Sequence, residues 1–165
     1  MKITHYDVET GVSAESSIPL NNFTTNLSPD GRLFAYSVTT KDSEVLSRKI
    51  YTVPTEGGAP HQILELVGEE AMDLTVMADV GLAWSHDSRH VLFVKGNAKD
   101  SKMRSLWRVS IEGGEPTALG LEMEALRESV ISPDGRKISF TAGGKRSQIW
   151  AMENFLPALV KNSRP

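Results

Sequence analysis

The sequence contains no cysteine, which removes disulfide frameworks, thiolate zinc sites and cysteine nucleophiles together and leaves the compartment open. No run approaches the roughly 18 apolar residues that a membrane-spanning helix needs. The N-terminus, MKITHYDVETG, has no apolar segment of the secretory kind. As written, the chain is therefore expected to carry neither a signal peptide nor a membrane insertion. An excess of positive charge is missing too: 18 Lys and Arg stand against 21 Asp and Glu, a formal net charge of −3. Phosphate backbones require a basic stripe, and none is present, so nucleic acid is not an expected partner. Nor is there a G-x-S-x-G elbow or an H-E-x-x-H pair. The string Gly143-Gly144-Lys145-Arg146-Ser147 lacks the first glycine of a phosphate-binding loop and joins two strands instead of opening a helix.

What is present is repetition. NLSPDGRLFAYS (Asn26–Ser37) returns as AWSHDSRHVLFV (Ala83–Val94) and as VISPDGRKISFT (Val130–Thr141). Each copy reads as strand, four-residue turn, strand. In Ser28-Pro29-Asp30-Gly31 the proline presets the first corner, the aspartate accepts backbone hydrogen bonds, and the glycine takes the left-handed conformation that follows. Ser132-Pro133-Asp134-Gly135 repeats it letter for letter, whereas Ser85-His86-Asp87-Ser88 places a serine in the left-handed position, at a cost of about 1 kcal/mol. A third strand follows each turn, at Lys49–Val53, Ser105–Val109 and Gln148–Met152, with Tyr51, Trp107 and Trp150 in one column. An aromatic at the same place in every copy reads as a packing post between sheets. On that reading, Trp107 is buried and its truncation costs about 3–5 kcal/mol. Glu-Gly-Gly turns at Glu56 and Glu112 then lead to a fourth strand. Alternation along the second strands is only partial, as expected where both faces are covered.

The serines at 28, 85 and 132 are 57 and 47 residues apart. A four-stranded propeller blade takes about 40–50 residues, so the period fits an all-β fold, a partial β-propeller of four-stranded antiparallel blades. The expected division is the outer strands of an incomplete preceding blade over 1–22 (Ser17–Leu20 its last strand), and blades over 23–66, 81–120 and 121–157. An inter-blade segment covers 67–80, with a short helical turn around Ala71–Leu74, and a polar tail covers 158–165. The final blade abandons the pattern at Glu153-Asn154-Phe155-Leu156-Pro157, as a cap does. That makes about three blades and half of another, whereas closed rings hold about 4–8. The expectation is the C-terminal part of a longer bacterial protein, or a chain whose copies associate as a homo-oligomer.

The S-P-D-G-R turn, the aromatic-bearing third strand and the E-G-G turn together resemble the WD-like repeats of TolB-type β-propellers. Similar repeats occur in the propeller domains of prolyl-oligopeptidase-like enzymes and at the C-termini of many bacterial multidomain proteins. The closing Ile149–Pro157 is similar to how several such bacterial propellers finish. The resemblance is specific for fold and unspecific for function.

Candidate sites follow from where loops fall. In propellers of this type the Ser-Pro-Asp-Gly and Glu-Gly-Gly turns collect on one face. The irregular loops Thr39–Ser47, Lys95–Met103, Ala142–Arg146 and Val67–Val80 collect on the other. Binding resides on loops held by rigid scaffolds, which singles out Lys41, Asp42, Glu44, Lys99, Asp100, Lys102, Lys145 and Arg146. No catalytic, cofactor or metal residues are expected. Asp30, Asp87 and Asp134 sit on separate repeats and cap their own turns. His5, His61, His86 and His90 offer no ligand pairing except His86 and His90, which straddle a turn. Glu69, Glu70 and Asp73 lack the spacing of a calcium loop. The reading is a non-enzymatic scaffold that binds a protein or small ligand, with a protein partner or the remaining blades of a parent chain as its contacts. The alternative is the gating propeller of a prolyl-oligopeptidase-like serine peptidase. A propeller lyase with a histidine-bound metal is a weaker rival.

Overall fold

The strands expected around the repeated turns form in the computed structural model, which describes residues 2–17, 25–71, 81–97, 99–143 and 148–153. A first sheet pairs β1 (Lys2–Tyr6) with β2 (Ser13–Ser17). A second holds β3 (Thr25–Leu27), β4 (Leu33–Asp42), β5 (Val45–Pro54) and β6 (His61–Val67) in chain order. A third holds β7 (Ala83–Trp84), β8 (His90–Asn97), β9 (Asp100–Ser110) and β10 (Thr117–Glu124), and a fourth β11 (Arg127–Ile131), β12 (Lys137–Ala142) and β13 (Gln148–Glu153). Every pairing is antiparallel between consecutive strands.

The repeated turn is held by its own side chains. Ser28 Oγ donates to Asp30 Oδ1 at 2.6 Å and accepts from Leu33 N at 2.9 Å, while Asp30 Oδ1 accepts from Arg32 N at 3.1 Å. Ser85 with Asp87 and Ser132 with Asp134 reproduce all three bonds. The serine hydroxyl lowers the pKa of Asp30 and Asp134 first among its causes. At Asp87 burial opposes the shift, but the Ser85 hydroxyl, the Arg89 N–H and nearby positive charge outweigh it. Folded values below the usual 3.8 mean that these carboxylates stabilise the fold above that pH. Their contribution is lost as pH falls through the folded values. An Asp30→Asn, Asp87→Asn, Asp134→Asn triple variant is expected to be less stable at neutral pH and to lose less stability below about pH 4. Urea midpoints measured across that range check it.

Neighbouring turns also touch. Ser88 adopts φ 59°, and its Oγ accepts from Asp30 N of the preceding turn at 3.2 Å, which offsets the strained backbone. Gly135, at φ +70°, faces His86: a Cβ there would lie 2.8 Å from His86 Cδ2, whereas one at Gly31 (φ +73°) would meet nothing within 4 Å. Gly135→Ala is expected to cost about 2 kcal/mol, and Gly31→Ala only the backbone term of about 1 kcal/mol. Equilibrium unfolding of the pair checks the contact.

The core is divided between sheets, and alternate residues of one strand serve different neighbours. Val91 and Phe93 of β8 pack with Ala35, Ile50, Ile63 and Leu66 of the second sheet. Leu92 and Val94, between them, pack with Ile138, Phe140 and Leu126 on the other side. This is why the strand alternates so weakly in sequence: both faces are dry. The short inner strands lie side by side, with Asn26 Nδ2 donating to Leu82 O at 2.9 Å and Trp84 Nε1 donating to Asn26 O at 2.8 Å. Near the opposite edge, arginines in one repeat column reach out of their own sheet, Arg48 to the third sheet and Arg104 to the connection just before β11. Arg48 Nη1 donates to Val94 O at 3.2 Å, and Arg104 Nη1 to Leu126 O at 3.4 Å.

Several expected boundaries shift. The strand paired with β1 in the half blade is Ser13–Ser17, because Asp7 closes the hairpin early: its Oδ1 accepts from Glu9 N and Thr10 N, and Asp7 N donates to Val12 O; of the expected Ser17–Leu20, residues 18–20 lie outside the described residues. Thr39–Ser47 is no irregular loop, since β4 and β5 stay paired to Asp42 and Val45 and turn at Ser43. Lys95–Met103 likewise shortens to a tight hairpin between Asn97 and Asp100. β10 runs past residue 120 to Glu124, because a bulge between Ala118 and Glu122 lets it bend and stay on β9. The helical turn of the 67–80 segment falls at Gly68–Glu70, ahead of Ala71–Leu74, most of which lies outside the described residues. The expected cap after Glu153 also lies outside them.

Candidate functional site

The third sheet departs from the repeat within its second strand. The column that carries Val38 and Ala142 elsewhere carries Lys95 here. Val91, Phe93 and Lys95 share one face of β8, and Trp107 lies opposite Phe93 in the register. Lys95 Nζ therefore sits 4.0 Å above the Trp107 ring centroid and forms a cation–π contact. The same ammonium lies 2.9 Å from Glu70 Oε1 of the Gly68–Glu70 turn, and its side chain is 15% exposed. Trp107 Nε1 donates to Ser105 Oγ at 2.8 Å. Asn97 Nδ2 donates to Glu122 Oε1.

These residues wall a cavity of about 460 Å³, floored by Trp107, Leu106 and Leu121 and rimmed by Glu70, Lys95, Asn97, Lys99 and Glu122. It exists because β10 pulls away from β9 at its bulge, where Gly120 (φ +75°) has no atom within 4 Å of its Cβ position. Half of its lining is polar or charged: Glu70, Lys95, Asn97, Lys99, Ser105 and Glu122.

The residues expected from loop placement divide unevenly. Lys41, Asp42 and Glu44 sit at the β4–β5 hairpin tip, where Lys41 pairs with Glu44 at 3.4 Å with side chains 56% and 93% exposed. An ion pair so open to water contributes little. Lys99, Asp100 and Lys102 sit on the β8–β9 hairpin. Asn97 Oδ1 accepts from Lys99 N at 2.8 Å and Asp100 Oδ1 from Lys102 N at 2.9 Å, so both oxygens brace the turn. Of the expected residues, Lys99 lines the cavity; Lys41, Asp42, Glu44, Asp100 and Lys102 do not. Lys145 and Arg146 lie outside the described residues. Sequence reasoning passed over Lys95, Asn97 and Glu122 and gave Glu70 no role. The signal available was a lysine in an otherwise apolar column.

Trp107 corrects the expectation of a buried post. It is half-buried, with one side against the cluster shared with the second sheet and the other under Lys95. Trp107→Ala is accordingly expected to cost about 2 kcal/mol, below the range for a fully buried tryptophan. Chemical denaturation of the variant checks it. The Trp150 side chain lies outside the described residues.

Burial first, then Arg108, lowers the pKa of His90. It is therefore neutral near pH 7, and its 4.0 Å approach to Asp87 is not an ion pair there. Among the described residues no three His, Asp or Glu lie together as metal ligands. Among them, too, no helix is long and apolar enough to cross a membrane.

Four-stranded meanders stacked face to face about short inner strands define a β-propeller segment. The solved structures that it is similar to are propellers. TolB from Acinetobacter baumannii superposes with a TM-score of 0.60 at 16% identity, over 90% of this chain and 34% of that one. The β-propeller domain of the Trilobed protease from Pyrococcus furiosus, described as having an open velcro topology, gives 0.56 at 19% identity, over 79% and 38%. A putative TolB from Agrobacterium tumefaciens gives 0.53 at 24% identity, over 79% and 42%. At these identities the likeness is one of fold, the TolB-like β-propeller fold expected from the repeats. The chain spans about a third to two fifths of the length of these proteins. No protein-family model matches the sequence, and no curated protein matches it.

Proposed function

We propose that this chain is a non-enzymatic scaffold segment, a run of propeller blades that holds a protein or small-ligand binding surface at the face of the β4–β5 and β8–β9 hairpins. The observation that carries this reading is the cavity under Glu70. The repeat is interrupted there alone in the β8 column, and an aromatic floor, two ammonium groups and two carboxylates converge on it. Rigid blades present these groups at little ordering cost.

Site-specific photo-crosslinking in the cells that make the protein tests it. A crosslinker at Lys99 should capture a discrete partner that one at Glu112, on the opposite face, does not. Equal capture at both positions, or capture at Glu112 alone, would contradict the reading. A second reading, the accessory propeller of a serine peptidase, is favoured by one comparison. An acylaminoacyl peptidase structure superposes at TM-score 0.56 and 15% identity over 93% of this chain and 26% of that one. Labelling of the parent protein by a serine-directed fluorophosphonate would select it.

A further inference from the structure

We infer that the Lys95 cavity takes a carboxylate of an acidic peptide segment, and that Glu70 occupies this subsite as an internal stand-in until the ligand displaces it; the inference rests on the binding role proposed above. Lys95 already holds one carboxylate at 2.9 Å with its alkyl stem buried and its charge over an indole ring. That environment strengthens a charge-assisted bond relative to an exposed pair. The bound carboxylate belongs to Glu70, the last residue of a single 3-10 turn whose sheet-side anchor is Val67, so it is held by a short connection and not by a strand ladder. Its side chain is 46% exposed, which gives an incoming group access to the same ammonium. A second ammonium, Lys99, lines the same cavity. The Glu122 carboxylate on the far wall is engaged by the Asn97 amide. With Glu70 in place the four charged lining residues cancel, and with Glu70 swung out Lys95, Lys99 and Glu122 leave one positive charge. The site is then complementary to a monoanion. Leu106, Leu121 and Ala118, which also line the cavity, offer apolar surface to the rest of a peptide chain.

Displacement makes a specific demand. An intramolecular carboxylate competes at high effective concentration, so removing its charge must tighten binding of an external one. The reporter is the Trp107 indole N–H, bonded to Ser105 within the cavity wall and assigned by its loss in Trp107→Phe. In the full chain, labelled with ¹⁵N, N-acetyl-triglutamate amide should shift this resonance saturably, and N-acetyl-trilysine amide should not. Glu70→Gln should tighten the acidic peptide by about fivefold or more, and Lys95→Met should weaken it by about tenfold or more. The Glu70→Gln gain keeps the test decisive should Lys95→Met fold poorly. A shift caused by the lysine peptide would mean that a cation displaces Lys95 from the indole, and would overturn the inference. So would no shift at millimolar acidic peptide, an unchanged affinity in Glu70→Gln, or succinate binding as tightly as the peptide, which would make the ligand a free dicarboxylate. A silent titration alongside selective crosslinking at Lys99 removes the carboxylate assignment alone. Peptide binding without selective crosslinking removes the scaffold reading instead.

Discussion

Arg48→Ala is expected to lower the unfolding free energy by about 3–5 kcal/mol, among the largest single effects in the chain. The guanidinium is fully buried at 0% exposure, and burial pushes its pKa down to about 10, so it remains charged at neutral pH inside the stack. Its Nη1 donates to Val94 O at 3.2 Å, tying the second sheet to the third. Alanine would leave a cavity of arginine size and a buried carbonyl without that donor. Arg48→Met fills most of the space but lacks the guanidinium donor, and is expected to cost less than Arg48→Ala. Urea unfolding of the two variants separates charge from volume. A loss of under about 1 kcal/mol in Arg48→Ala would mean that this side chain does not bridge the blades.

Phe93→Ala is expected to cost about 3–5 kcal/mol, with Phe93→Leu near 1–1.5 kcal/mol. Phe93 is at 0% exposure between Trp107 on its own sheet and the apolar face of the second sheet. Truncation opens a void in the interface that also supports the cavity floor, so the alanine variant should lose part of the Lys95–Trp107 contact as well. Near-ultraviolet circular dichroism together with urea midpoints checks both effects. Stability lost with unchanged aromatic signal would separate the core from the cavity.

The fold was legible because it is said repeatedly. Ser28, Asp30 and Gly31 form one hydrogen-bonded unit, and the recurrence of that unit at 85 and 132 locates every inner turn and the strands on either side. Strand ends were legible only where a turn residue fixes them. Asp7 closes its hairpin earlier than the repeat spacing implies, because an Asx-type turn outranks the alignment of Tyr6 with Tyr51. The hairpin loops looked longer than they are because Lys41, Asp42, Lys99 and Asp100 are polar, and polarity marks exposed strand tips as readily as loops. The cavity was hidden for a related reason: it is assembled from Glu70, Lys95 and Glu122, which are far apart in the chain and individually look like solvated surface. Lys95 was the signal available, since it departs from a column that holds Val38 and Ala142 elsewhere.

The account stands on the blades forming one rigid stack that presents the cavity. Hydrogen exchange at the Trp84 indole N–H reads this most directly, because that proton bonds across two sheets to Asn26 O at 2.8 Å. A single cooperative stack predicts that it exchanges only through global unfolding, with the same free energy and urea dependence as the buried amides of β8. Exchange through a smaller opening, insensitive to urea while β8 stays protected, would contradict it and mean that the blades move independently.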